Sequence, residues 1–273
     1  MADAPFWDEE ELDNAGLDTT VLAIGDSWFW YPFNNLLSPI NYELDLTNPD
    51  SAILVRGAIG AEAAHYVKPR FLKQITQDVK KKPDKKGEVV RGKKLKAILI
   101  SGGGNDVAGL EDMLYILNEN NSGAKKAEDC FHKIRFPERL QRIKDDYETL
   151  FKTIRKHQTK IPIFVHCYDY APPNGKGFLG IGMWLKKPME EAKVPKKLHI
   201  PVVKALIDHL ADILQNLHDP KNNLVFVDSR GALSQTDDDW ANELHPTSRG
   251  FTKLVRRRWY SALRDKAILK WNE

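Results

Sequence analysis

Five short apolar runs, separated by segments of helical periodicity, constrain the fold of this chain more than anything else in its sequence. Residues 21–24, 52–55, 95–100, 161–167 and 224–227 are rich in Val, Ile and Leu and do not alternate with polar residues. Such runs suit strands buried on both faces. Between them, apolar residues recur at intervals of three and four. In 61–79 they are Ala64, Val67, Phe71, Ile75 and Val79, with Pro69 placed to kink or split the helix. Residues 137–157, 201–217 and 247–268 carry similar stripes, and Pro201 suits a first helical turn. Strands alternating with helices predict a parallel sheet covered on both faces. Five strands fit a single-domain, flavodoxin-like three-layer α/β/α sandwich with right-handed crossovers. The acidic stretch 1–18 reads as a separate N-terminal segment, and 19–273 as the α/β domain.

Composition narrows the function by exclusion. A net charge of +3 is too small to imply a nucleic-acid partner. The two cysteines, Cys130 and Cys167, provide neither a disulfide framework nor a cysteine-rich metal site. Cys167, within an apolar run, is expected to pack as a small core residue. No run approaches the roughly 18 apolar residues of a membrane span. The N-terminal segment lacks the basic and apolar regions of a signal peptide. A cytoplasmic protein is the default expectation, with export by a signal-independent route as the alternative. Nothing bears on oligomeric state, so a monomer is the default.

Three segments depart from the repeating unit and read as insertions near 80–94, 109–136 and 169–200. Residues 80–96 hold nine basic residues against Asp84 and Glu88, as expected of a solvated loop or an anionic contact. In 109–136, Asn118 to Gly123 marks a loop. The connection 169–197 is rich in Pro, Gly and Lys and carries Phe178, Leu179, Ile181, Met183, Trp184 and Leu185. A long loop at the carboxyl end of a strand is a candidate substrate wall.

Chemistry-bearing residues gather where these strands end. Gly25-Asp26-Ser27 follows the first run, Arg56-Gly57-Ala58-Ile59-Gly60 the second, and Ser101-Gly102-Gly103-Gly104-Asn105-Asp106 the third. Trp240-Ala241-Asn242-Glu243-Leu244-His245-Pro246-Thr247 precedes the last helical segment. In a parallel sheet all four share one edge. Asp-Ser after a strand is also an ordinary helix cap, but together the blocks supply a nucleophile, a base and donors. A serine hydroxyl needs a base, and His245 is the candidate. The Ser27 N–H, the Gly60 N–H and the Asn105 side chain are candidate oxyanion donors. No histidine pair has metal-ligand spacing, so neither metal nor cofactor is expected. His166, near the end of an apolar run, reads as a satisfied core histidine.

The constellation resembles the SGNH (GDSL-type) hydrolase superfamily, named for Ser, Gly, Asn and His in four blocks. Gly25-Asp26-Ser27 and Gly103 to Asp106 match well; the glycine block matches loosely, at Gly60 or else Gly57. The acid expected three residues before the histidine is replaced by Asn242. Asn242 could orient His245 through its amide oxygen, ahead of Asp239 swinging in or a backbone carbonyl serving instead. The resemblance implies a serine ester hydrolase working through an acyl-enzyme on a small-molecule, lipid or acylated-carbohydrate ester. An acyltransferase using the same Ser–His site is one alternative. A non-catalytic protein that binds an anionic polymer or a membrane surface is the other. Trp28, Trp30 and Tyr31, with Phe33 nearby, follow the nucleophile, and some of these rings are expected to line the substrate site.

Overall fold

The computed structural model describes residues 5–31, 34–83, 86, 88–177 and 183–270. Pro32, Phe33, Asp84, Gly87, Phe178, Leu179 and Ile181 lie outside the described residues. The five apolar runs are strands β1 (Asp18–Gly25), β2 (Ser51–Gly57), β3 (Ala97–Ile100), β4 (Ile163–His166) and β5 (Leu224–Val227). They form one sheet in the order β2-β1-β3-β4-β5, and every pair is parallel. This is the flavodoxin-like order expected of five alternating units, in which ligands bind beyond the carboxyl ends of the strands. Leu22, Ile24, Leu54, Ile98, Ile100 and Phe164 have no exposed surface. Cover on both faces explains why these strands lack alternation.

The covering helices follow their apolar stripes. Arg135–Arg155 buries Leu140, Ile143, Tyr147, Leu150, Phe151 and Ile154, and His199–Gln215 buries Val203, Leu206, Leu210 and Leu214. Pro69 splits its segment: Ala63–Tyr66 ends, and Pro69–Val79 restarts with the proline at its first position, where no N–H is needed. The last segment is not one regular helix. A π-turn at Val255–Trp259 separates Ser248–Leu254 from Tyr260–Asp265. The widened turn lets Val255 and Trp259 join the core alongside Phe251 and Leu263.

One residue of the basic segment departs from a solvated loop. Lys80 is not solvated; it is buried and paired with Glu88. Beside it, the fully buried Gln158 side chain donates to the carbonyls of Val79 and Gly92, tying the basic segment to the domain. The acidic N-terminal stretch also makes specific contacts. Phe6 N–H donates to Ile53 O at 2.9 Å, Leu12 is buried, and Glu9 pairs with Arg56. Arg56 is buried as well, and its guanidinium meets Asp78 at 2.8 Å. A charge at that depth needs such partners.

Candidate active site

Ser27 opens a single helical turn, Ser27–Trp30, directly beyond β1. Asp26 caps that turn by accepting from Trp28 N–H at 3.0 Å. The Asp26 carboxylate also accepts from Ser101 Oγ at 2.9 Å and from the Tyr168 hydroxyl. Burial pushes its pKa upward, and these donors counter the shift. Asp26 therefore joins the turn after β1 to the turn after β3. Buried tyrosines brace the β3 turn further: Tyr66 Oη donates to Ser101 O at 2.9 Å and Tyr147 Oη to Gly102 O at 3.1 Å. The glycines admit these rings. A Cβ on Gly104 would lie 2.7 Å from the Tyr168 ring, and one on Gly102 2.7 Å from Tyr66.

His245, 218 residues downstream, reaches back to the serine. Its Nε2 lies 2.7 Å from Ser27 Oγ, and its Nδ1 lies 3.1 Å from Asn242 Oδ1. That amide oxygen also accepts from Leu244 N–H and His245 N–H, each at 2.9 Å. Two backbone donors aimed at one oxygen fix the orientation of the amide. Asn242 Oδ1 must then accept from the imidazole, which places the ring proton on Nδ1 and the lone pair on Nε2, facing the serine. Burial lowers His245 to about 4, so the ring is neutral at neutral pH. Tyr31 stacks on it with centroids 4.3 Å apart and planes 12° apart, and its hydroxyl bonds the Asn242 side chain.

The upstream aspartates are engaged elsewhere. Asp239 accepts from Lys253 Nζ at 2.6 Å and from Ser234 N–H at 2.7 Å; Asp237 pairs with Lys176. Of the two orienting candidates, Asn242 is the one at the imidazole.

Gly57 and Gly60 separate into different duties. A Cβ on Gly57 would come within 1.9 Å of Gly25 O, so this glycine lets β1 and β2 run side by side. Gly60 has open space where a Cβ would stand, but its φ of +74° favours glycine. The Ser27 and Gly60 N–H groups find no acceptor among the described residues. Asn105 Nδ2 gives one of its two hydrogens to Ala61 O at 3.0 Å, linking it to the Gly60 loop.

A narrow cavity of about 40 Å³ opens beside Ser27 and Asn105. Val107, Leu185, Leu206, Ile207 and Leu244 supply much of its wall, which is overwhelmingly apolar. Of the three aromatic candidates, Trp28 lines this slot, and its Nε1 donates to Leu244 O at 3.0 Å. Tyr31 faces His245, while Trp30 packs edge-on against Trp7 and is not part of the slot wall. Beneath Trp28 lies His166, whose Nδ1 meets Cys167 O at 2.8 Å. Its buried Nε2 has no partner among the described residues, so it is only half satisfied. Cys167 is buried as expected.

Sequence reasoning missed the bracing tyrosines 66, 147 and 168, because isolated tyrosines look like ordinary core. It also gave no role to Glu243, which is fully buried beside Asn242. Among the described residues no cluster of His, Cys, Asp or Glu is arranged to hold a metal ion, and no helix is long and apolar enough to cross a membrane.

The fold and site define a class: doubly wound α/β proteins that carry a serine and a histidine in hydrogen-bond contact at the carboxyl edge of the sheet. The chain belongs to the GDSL-like Lipase/Acylhydrolase family, whose model matches residues 23–253. It is an ester-bond hydrolase. Its fold is similar to that of the lipase Lip_vut3 from a goat rumen metagenome, at a TM-score of 0.54 and 16% identity over 92% of this chain and 99% of that one. It is also similar to a chain assigned as a GDSL-like lipase from Parabacteroides merdae, at a TM-score of 0.53 and 11% identity over 92% and 97%. No curated protein matches the chain in sequence.

Proposed function

We propose that this protein hydrolyses carboxylic esters with a short acyl group through an acyl-enzyme on Ser27. The observation that carries the reading is the 2.7 Å contact between Ser27 Oγ and the lone-pair nitrogen of His245, with Asn242 holding the tautomer. Ser27 Oγ attacks the ester carbonyl carbon while its proton passes to His245 Nε2. The negative charge that develops on the carbonyl oxygen is met by the Ser27 and Gly60 N–H groups and Asn105 Nδ2. As the C–O bond breaks, His245 returns the proton to the departing alcohol. Water then repeats the sequence on the acyl-serine, giving the carboxylic acid and free Ser27.

The acyl size follows from the slot. A volume of about 40 Å³ takes about three or four water-sized groups, on the scale that a single water needs about 10–15 Å³. That suits an acetyl or propionyl tail better than a long fatty chain. The test compares p-nitrophenyl acetate, butyrate and octanoate with wild type and Ser27→Ala. Wild type should prefer acetate, and intact-mass analysis after rapid quenching should find one acetyl group on the protein. Equal slow hydrolysis by Ser27→Ala would sink the proposal.

A further inference from the structure

Glu243 lies between Asn242 and His245 in the chain, yet its carboxylate is hydrogen-bonded to neither side chain among the described residues. It has no exposed surface, and its carboxylate accepts four backbone N–H bonds. Oε1 takes Gly175 N–H at 2.8 Å and Lys186 N–H at 3.0 Å; Oε2 takes Trp184 N–H at 2.7 Å and Leu185 N–H at 3.0 Å. The Glu243 N–H adds a fifth bond, to Lys176 O at 3.1 Å. One residue of the histidine loop thus gathers both ends of the long connection that follows β4. Among the described residues no basic side chain pairs with it, so peptide N–H groups alone satisfy the carboxylate.

The gripped residues belong to the site. Leu185 lines the apolar slot, and so does Leu244, the next residue after Glu243. Trp184 meets the His245 ring edge-on, with centroids 6.3 Å apart. Leu244 is itself tied to the nucleophile turn through Trp28 Nε1. The position of the slot wall relative to Ser27 is therefore transmitted through the Glu243 carboxylate.

We propose that Glu243 sets the acyl-chain limit of the site, as a positioning residue that holds Leu185 and Leu244 together in the slot wall. The proposal rests on the short-acyl hydrolase reading above and deepens it. Each oxygen takes two donors, so whichever one becomes an amide nitrogen in Glu243→Gln, two buried N–H groups lose their acceptor. The wall then loosens while Ser27, Asn242 and His245 keep their own bonds.

The experiment measures kcat/KM for p-nitrophenyl acetate and hexanoate in wild type, Glu243→Gln and Leu185→Ala, with Ile154→Val as a core control. One methylene in an apolar pocket is worth roughly tenfold or more, so Glu243→Gln should raise the hexanoate-to-acetate ratio at least about tenfold. Leu185→Ala, which widens the slot directly, should raise it too. Ile154→Val, destabilised at a distance, should keep the wild-type ratio. Hydrogen exchange should show faster exchange in Glu243→Gln at Gly175 and Trp184 to Lys186, ahead of the rest of the domain. A Glu243→Gln enzyme that loses both activities in equal proportion overturns the proposal. If wild type hydrolyses neither ester, the hydrolase reading falls by itself. The exchange data then judge the grip alone, and unchanged protection at 184–186 overturns it.

Discussion

Replacing Asn242 by aspartate isolates what the missing charge does. On the proposed mechanism the imidazolium formed during attack has an amide beside it, and burial alone holds His245 down at about 4. Relative to an ordinary histidine, that depression corresponds to about 3 kcal/mol against the charged ring. A carboxylate at position 242 would lie about 4 Å from the centre of the ring. Two unit charges there attract by about 4 kcal/mol at an effective dielectric of about 20. The new charge is itself buried, since Asn242 is 2% exposed, but Leu244 N–H, His245 N–H and the imidazole already point at the acceptor position. Three donors offset much of the desolvation. A net gain of about 2–3 kcal/mol to the imidazolium moves the His245 pKa up by about two units. The acidic limb of kcat/KM should therefore move from about 4 to about 6 in Asn242→Asp. The plateau above it should rise roughly tenfold, as transition-state charge is better stabilised. The assay is the pH profile for p-nitrophenyl acetate from about pH 3.5 to 8.5, where the limb reports the base in free enzyme. A limb that stays near its wild-type position with a lower plateau would refute the reasoning. It would mean that the aspartate turns away from His245 or stays protonated.

Other expectations follow from the same geometry. Asn242→Ala frees the imidazole tautomer and should lower kcat by roughly 10²-fold, more than Asp239→Ala, which breaks the ion pair to Lys253 and the bond from Ser234 N–H, both away from His245; steady-state kinetics of both variants decides the ranking. Gly57→Ala forces a Cβ against Gly25 O at positive φ and should cost about 3 kcal/mol or more, whereas Gly60→Ala meets open space and should cost about 1 kcal/mol; thermal melts separate the two. His166 is lowered to about 4, so between about 4 and 6.5 the unfolded chain takes up a proton that the native state refuses, and stability falls as pH falls. Removing that proton uptake in His166→Phe should flatten the loss by about 1.4 kcal/mol per pH unit in urea titrations near pH 6 and 5, and identical slopes would contradict it.

The strands were legible because burial on both faces writes continuous apolar runs, as in 97–100 and 52–55, and the helices because their stripes are long. Ser27, Asn105 and His245 could be picked out as candidates because turns beyond strand ends admit few residue types. What stayed hidden depends on distant partners. The π-turn at Val255–Trp259 leaves no periodicity of its own, and the buried Lys80 looks like its solvated neighbours until Glu88 and Gln158 are placed. Trp30 and Tyr31 are adjacent and chemically alike, yet one ring meets Trp7 and the other His245. Only the course of the chain after Ser27 distinguishes them. Glu243 was invisible for a related reason: its four donors are backbone amides, which carry no side-chain signature.

The contact between residues 27 and 245 also has a consequence for biogenesis. Ser27 leaves the ribosome 218 residues before His245, which at about 5–20 residues per second is a delay of about 10–40 s. During that interval β1 can pair with β2 and β3, but Ser27 has no proton acceptor and Trp28 no Leu244 carbonyl to hold. On the proposed mechanism, the growing chain is thus inert toward esters until the segment that carries His245 docks. Regain of hydrolysis during refolding would accordingly report the closing of a loop that spans most of the chain, later than any signal from the sheet.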